Sequence, residues 1–478
     1  MRRSSTVFGV AVFLLMAVWS LMTPLFSGPD EPANFVRSAA VVRGQWVGDN
    51  VAPSSLKSYW TTTVNIDPQF GAANVIPWCF APFSDHPGCD SRLQDTQFVD
   101  DPAWTNIGRY PIVSFFISGI GTVFGARDLS VRAARLMTSL LCASLLAFGF
   151  GTLLRRKVSP VGVLLALLPG TVFLASTMNP SAIEICAAIA LWAVFPSFAE
   201  GSTNRWDEIA FAVSGVLLIL TRPIGPVLYV IVLAVSCGVK RNPLRISTIL
   251  RNYRKLFIAH AIAGLFALWW YINIYSFQTT NKILKSTSSI STRGQIDQAI
   301  HHIPVLLDQA VGNFGWLDAP MPRVALYTTY LLIATVAGAG LRFMQNRSRA
   351  MMSSLMGIVV LVVVILDVNY FSLLGSFGAQ GRHIVPLLVG LPIIAAGSFT
   401  WKRNWEVVAA SVWGVVMVWA GLGALRRYTV GINGDNAMDM FKNRSWNPVL
   451  GFWPTVMMLM LSTLAVVCLF PYSRPSTE

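Results

Sequence analysis

Residues 110–125 read YPIVSFFISGIGTVFG, and whether this stretch crosses a bilayer decides the topology of everything after it. It is apolar and carries three glycines, but it is short against the roughly 20 residues of a spanning helix. Suppose it crosses. The basic clusters Arg155-Arg156-Lys157, 240–255 (KRNPLRISTILRNYRK), 345–349 (QNRSR) and 401–405 (WKRNW) then all face outward. That reverses the usual excess of Lys and Arg in cytoplasmic loops. Suppose instead that it lies in or on the membrane without crossing. All four clusters, and both termini, then fall inside. The second arrangement is the expected one. It makes 27–130 a large extracytoplasmic loop with juxtamembrane helices and an embedded helix that does not span.

Composition agrees with a membrane setting. The 478 residues are 54% hydrophobic and 12% charged, about half the charged fraction of roughly 25% in soluble domains. The fold class expected is an all-α polytopic protein of a cytoplasmic (plasma) membrane, a single integral domain over 1–478. Apolar runs at 7–26, 131–154, 159–177, 181–199, 209–222, 223–239, 256–277, 323–343, 350–371, 384–400, 406–424 and 450–470 give about twelve transmembrane helices. Pro223 and Pro226 separate two of them and leave Arg222 at a tight outer turn. The first run is longer than a signal-peptide core and reads as a retained anchor. Further outer segments are 278–322 and 425–449, with a shorter one at 372–383. The net charge of +14 lies in clusters between apolar runs, which suits anionic lipid and not nucleic acid. No phosphate-binding glycine loop of a nucleotide-driven enzyme is present. Cys79 and Cys89 lie in the first outer segment, where oxidation pairs thiols, and a disulfide is expected. Cys142, Cys186, Cys237 and Cys468 fall in apolar runs and read as packing residues.

Chemistry-bearing residues follow the same geography. Asp30 and Glu31, in SGPDEPANF (27–35), stand just beyond the anchor. One reading makes them catalytic: one carboxylate takes a proton from an acceptor hydroxyl, while the other orients it or holds a cation. The other reading makes Asp30 the N-cap of a following helix, with Glu31 in its first turn. Residues 312–318 (GNFGWLD) offer Asn313, Trp316 and Asp318 to a sugar or acceptor, or form an interfacial aromatic belt. Residues 378–383 (GAQGRH) offer glycine N–H groups, Arg382 and His383 to a phosphate. Arg222, a cation amid apolar sequence, is a second phosphate ligand or a residue reaching for the interface. His301 and His302 point to different helix faces and have no evident third ligand, so no metal site is read there. A divalent cation at the acidic pair remains compatible with the residues, and no other cofactor is implied.

The ordered motifs PDEPANFVRS, RYPIVSFFISGIGTVFG with RAARL, STMNPSA, LTRP, GNFGWLDAP and AQGRHIVP resemble a bacterial family of multipass membrane proteins of unknown function grouped with the GT-C glycosyltransferases. The resemblance implies a multispan helical fold with an acidic catalytic residue in the first outer loop. It also implies an inverting transfer of sugar from a polyprenyl-phosphate carrier to a cell-envelope glycan or lipid acceptor. Asp30 and Glu31 match the acidic motif. The chain departs from the family's habit at His383, where Tyr is commoner, and at Ser181, where Asp often follows Asn-Pro. The partners expected are a lipid-linked sugar donor, a glycan or lipid acceptor, and membrane lipids. An O-antigen-type polymerase or ligase, leaning on Arg382 and His383, and a lipid-linked-glycan transporter are the competing readings.

Overall fold

The computed structural model describes residues 2–50, 62–97, 101–239, 246–277, 290–374, 378–432 and 438–470. The fold is helical. Its strands are a three-stranded antiparallel sheet (Asp49–Asn50, Thr62–Val64, Ala103–Thr105) and a two-stranded one (Asn313–Phe314 with Ala319–Pro320). Among the described residues, seven helices are long and apolar enough to cross a membrane. The apolar window of Pro180–Glu200 is 94% buried and that of Arg254–Asn273 only 17%, which puts the first at the centre of the bundle and the second at its rim.

Two expected spans beside this central helix are broken. Residues 159–177 form Val161–Ala166 and Pro169–Ala175. Pro169 has no N–H and pushes Leu168 to an extended conformation, so the ladder stops there. The released Leu167 carbonyl accepts from the Trp413 indole at 2.9 Å. Residues 384–400 likewise become Gly381–Leu388 and Gly390–Ala396, and the Pro386 carbonyl accepts from the Trp192 indole at 3.0 Å. In an apolar interior a freed carbonyl must find a donor, and a buried indole supplies one.

The helices carry their polar residues to two opposite ends. At one end Arg155 pairs with Asp207 at 2.5 Å and Arg156 with Glu200 at 2.9 Å. Ser5 there donates to the Ala147 carbonyl, and Lys157 shares a cleft with Phe343 and 397–400. At the other end lie Asp30, Asn179, Arg222, Asp318 and Arg382. Residues 110–125 stay at that second end. They form Val113–Ile120 and Gly121–Phe124, packed between the helix Glu31–Val42 and the start of Asp128–Arg155. Ser38 and Ser118 hydroxyls meet at 2.6 Å, and Arg43 donates to the Thr122 hydroxyl at 3.0 Å and carbonyl at 2.9 Å. A Cβ at Gly119 would stand 2.5 Å from the Ser38 carbonyl oxygen, and one at Gly121 2.2 Å from the Ala134 nitrogen. Only glycine permits that approach of backbones. The opposite flank exposes Phe116, Ile120, Val123 and Phe124.

A cap covers the second end. Cys79 and Cys89 are disulfide-bonded within it. The helix Arg403–Val430 runs past the expected span at 406–424 and takes in 425–430 from the expected outer segment 425–449. That extension carries the buried Arg427, which donates to the carbonyls of Phe80 (2.9 Å), Phe83 (3.2 Å) and His86 (2.5 Å).

Candidate functional site

The site begins at a kink. Asp30 has φ 59° and ψ 10°, left-handed values that are uncommon outside glycine and tolerated best by Asp and Asn. The carbonyl of Pro29 just before it accepts from Asn179 Nδ2 at 3.1 Å and Arg382 Nη1 at 3.5 Å. The two adjacent carboxylates end up in different environments. That of Asp30 makes no capping bond to the helix it precedes. It pairs instead with Arg382 Nη2 at 2.5 Å, and its side chain stays 43% exposed.

Glu31 is sealed. Its Oε1 and Oε2 accept from Arg135 Nε at 2.7 Å and Nη2 at 2.8 Å, and both side chains are wholly buried. Oε2 also accepts from Gly28 N (3.0 Å) and Oε1 from Met178 N (3.3 Å). Arg135 in turn donates to the carbonyls of Ser20 (3.0 Å) and Pro24 (2.7 Å). Glu31, expected to share the chemistry with Asp30, is wholly buried here and has each lone-pair direction filled by a protein donor. Glu31 is a pillar that fixes the kink.

Arg382 opens the helix Gly381–Leu388. The expected anion nest is spent in holding its own loop. Ala379 N donates to Asp367 Oδ1 (3.1 Å), Gln380 N to His383 Nδ1 (3.2 Å) and Gly381 N to Gln309 Oε1 (2.9 Å). Asp367 is itself held by His302 Nδ1 at 2.8 Å. These three backbone N–H groups are therefore already bonded within the protein. His383 is buried, with its Nδ1 accepting from Gln380 N.

Arg222 reaches the same place from the turn after Arg205–Thr221. Its Nη1 lies 3.2 Å from Ser181 Oγ and 3.3 Å from Glu184 Oε2. Ser181 and Glu184 sit one turn apart on the central helix, whose first turn Asn179 caps by accepting from Ser181 N at 2.9 Å. Asn179, two residues before the Ser181 that Arg222 bonds, donates to the same Pro29 carbonyl as Arg382, so the two guanidinium groups share one locality. The centre is thus two arginines facing two carboxylates, Asp30 and Glu184.

The 312–318 motif makes a tight two-stranded turn, with Gly315 at φ 66° and Leu317 at φ 68°. Asn313 lines a small enclosed cleft with Pro29, Gln309, Gln380 and Arg382. Trp316 donates its indole N–H to the Phe26 carbonyl at 3.1 Å. Arg427 Nε donates to Asp318 at 2.8 Å, which ties the turn to the cap. Among the described residues no group of three or more His, Cys, Asp or Glu is placed to hold a metal ion.

Residues 13–391 match the family described as "Predicted membrane protein (DUF2142)". The chain belongs to this family. The DUF2142 match covers all the residues just described except Arg427. No functionally curated protein matches the chain. Solved structures similar to it include ArnT from Cupriavidus metallidurans bound to undecaprenyl phosphate, and the same protein in the apo state. The first is 15% identical, with 98% of this chain and 77% of that one covered and a TM-score of 0.46. The second is 14% identical, with 98% and 76% covered and a TM-score of 0.47.

Sequence reasoning passed over Arg135, Glu184 and Arg427. Arg135 lay in view within the RAARL string, and an arginine entering an apolar helix is itself a signal for a buried acidic partner. Glu184 carried the same signal three residues after Ser181.

Proposed function

We propose that this DUF2142 protein is an inverting glycosyltransferase that takes a sugar from a polyprenyl-phosphate carrier on the outer face of the bacterial plasma membrane. The Asp30–Arg382 contact carries the reading. It sets a half-exposed carboxylate against a guanidinium that shares its locality with a second one, at the end of the bundle away from the basic loops. Arg222 and Arg382 hold the phosphate through charge-assisted hydrogen bonds. Asp30 takes the proton from the acceptor hydroxyl. The acceptor oxygen bonds to the anomeric carbon from the face opposite the phosphate. The bond from that carbon to the phosphate oxygen breaks, and its electron pair leaves with the polyprenyl phosphate. Two fixed guanidinium groups stabilise the charge gathering on that oxygen, so no acid is needed. Glu31 orients Asp30 through the kink and does not touch substrate.

The test is complementation of a deletion strain, read by mass spectrometry of envelope glycans. Wild-type protein restores a glycan missing one sugar, and Asp30→Asn at equal abundance does not. Full restoration by Asp30→Asn removes the base.

A further inference from the structure

Three half-buried tyrosines, two of them within electrostatic reach of Arg222, take no part in the chemistry above. Tyr370 approaches from the helix Asn346–Leu374, and its ring packs against Gly378 so closely that a Cβ there would stand 2.2 Å from the ring carbons. That contact seats Tyr370 on the loop that carries Arg382. Tyr110 opens the embedded segment, and Tyr275 follows the helix Arg254–Asn273. Their rings meet edge-on at 5.3 Å. The pairing is built in: Trp270 Nε1 donates to the Arg109 carbonyl at 2.9 Å, and Arg109 Nη1 donates to the Ile274 carbonyl at 3.3 Å. Arg222 lies within electrostatic reach of both Tyr110 and Tyr370, and Tyr370 also senses Arg382 and Asp30. Next outward, Tyr271 stacks on Tyr275 at 5.4 Å and is half exposed.

We infer that Tyr110, Tyr275 and Tyr370 form the wall on which the sugar ring of the lipid-linked donor rests, with the ring hydroxyls bonded to the phenols. The inference rests on the glycosyltransferase reading and names its sugar subsite. The sugar is bonded directly to the phosphate, so a phosphate held by Arg222 and Arg382 puts the ring within one residue's width of them. Asp30 is bonded to Arg382, and the tyrosines come from three other elements. A tyrosine offers a flat apolar face to ring C–H groups and a hydroxyl to ring oxygens. The Tyr110 and Tyr275 phenols also hydrogen-bond to each other, and because a phenol both donates and accepts, the pair keeps a free O–H.

The experiment uses the full chain in lipid nanodiscs, titrated with undecaprenol, undecaprenyl phosphate, and undecaprenyl phosphate bearing glucose, mannose, galactose or N-acetylglucosamine, with native mass spectrometry as readout. Wild type binds at least one sugar-bearing lipid more tightly than the bare phosphate. Tyr110→Phe and Tyr370→Phe each weaken that lipid about fivefold and leave bare undecaprenyl phosphate unchanged. These variants keep the ring and lose only the hydroxyl, so packing is preserved. Equal weakening of bare and sugar-bearing lipid, no weakening, or no gain from any sugar in wild type overturns the subsite. Equal binding of undecaprenol and undecaprenyl phosphate by wild type instead overturns the phosphate reading, and the subsite falls with it.

Discussion

Glu31→Gln separates the pillar from the base. In the native protein Glu31 accepts four hydrogen bonds, two from Arg135 and one each from Gly28 N and Met178 N. The amide keeps one acceptor oxygen and turns the other into a donor facing donors. It also leaves Arg135, wholly buried, without a counter-charge. Breaking one partner of a buried pair costs roughly 3–5 kcal/mol, and an unmet buried donor adds about 1–3 kcal/mol. A neutral double variant, Glu31→Leu with Arg135→Met, regains most of the loss, since the uncompensated charge is gone. Unfolding of the detergent-solubilised protein, followed by fluorescence-detected size exclusion after heating, measures all three. The expected order is wild type, then the double variant, then Glu31→Gln well below both. A Glu31→Gln protein as heat-stable as wild type, yet unable to restore the glycan, refutes this reasoning and returns Glu31 to the chemistry.

Asp30→Asn is expected to lower turnover by about 10²–10⁴-fold and to shift stability by about 1 kcal/mol or less, because the carboxylate is half exposed. Side-by-side glycan analysis and thermal unfolding check both halves. Arg222→Gln and Arg382→Gln each weaken undecaprenyl phosphate binding by roughly tenfold or more, the loss of one charge-assisted contact. A membrane-impermeant maleimide labels cysteines placed at Gln45 and Arg127 in intact cells, and one at Lys402 only after permeabilisation; labelling of Gln45 and Arg127 from opposite sides overturns the embedded segment. Gly121→Val abolishes accumulation of the folded protein, because the added side chain meets the Ala134 backbone, which cannot yield.

Sequence pattern carried the helical class because apolar runs and basic clusters are local features. It carried the neighbourhood of Asp30 and Arg382 for a related reason: topology alone sends both to one face. It did not separate Asp30 from Glu31. Side by side in the chain they are chemically almost alike, and their difference arises from a positive φ at Asp30 and from an arginine 104 positions downstream. The same limit applied to 378–383, where glycines suggested free N–H groups and distant Asp367 and Gln309 had already claimed them. Broken spans escaped for a different reason. Pro169 was visible, but the indole that makes the break tolerable belongs to Trp413, 246 residues from Leu167.

The grip of Arg427 on Phe80, Phe83 and His86 also dictates a timetable. During synthesis the cap around residues 79–89 emerges early, yet its central fastener is encoded more than 340 positions later. Until the helix ending at Val430 has been inserted, the carbonyls of Phe80, Phe83 and His86 lack the guanidinium that gathers them. Chain fragments that stop short of that point would bring Arg382 to Asp30 and still lack this fastener, so the segment around 79–89 takes its final form late in biogenesis, with nearly the entire polypeptide already threaded.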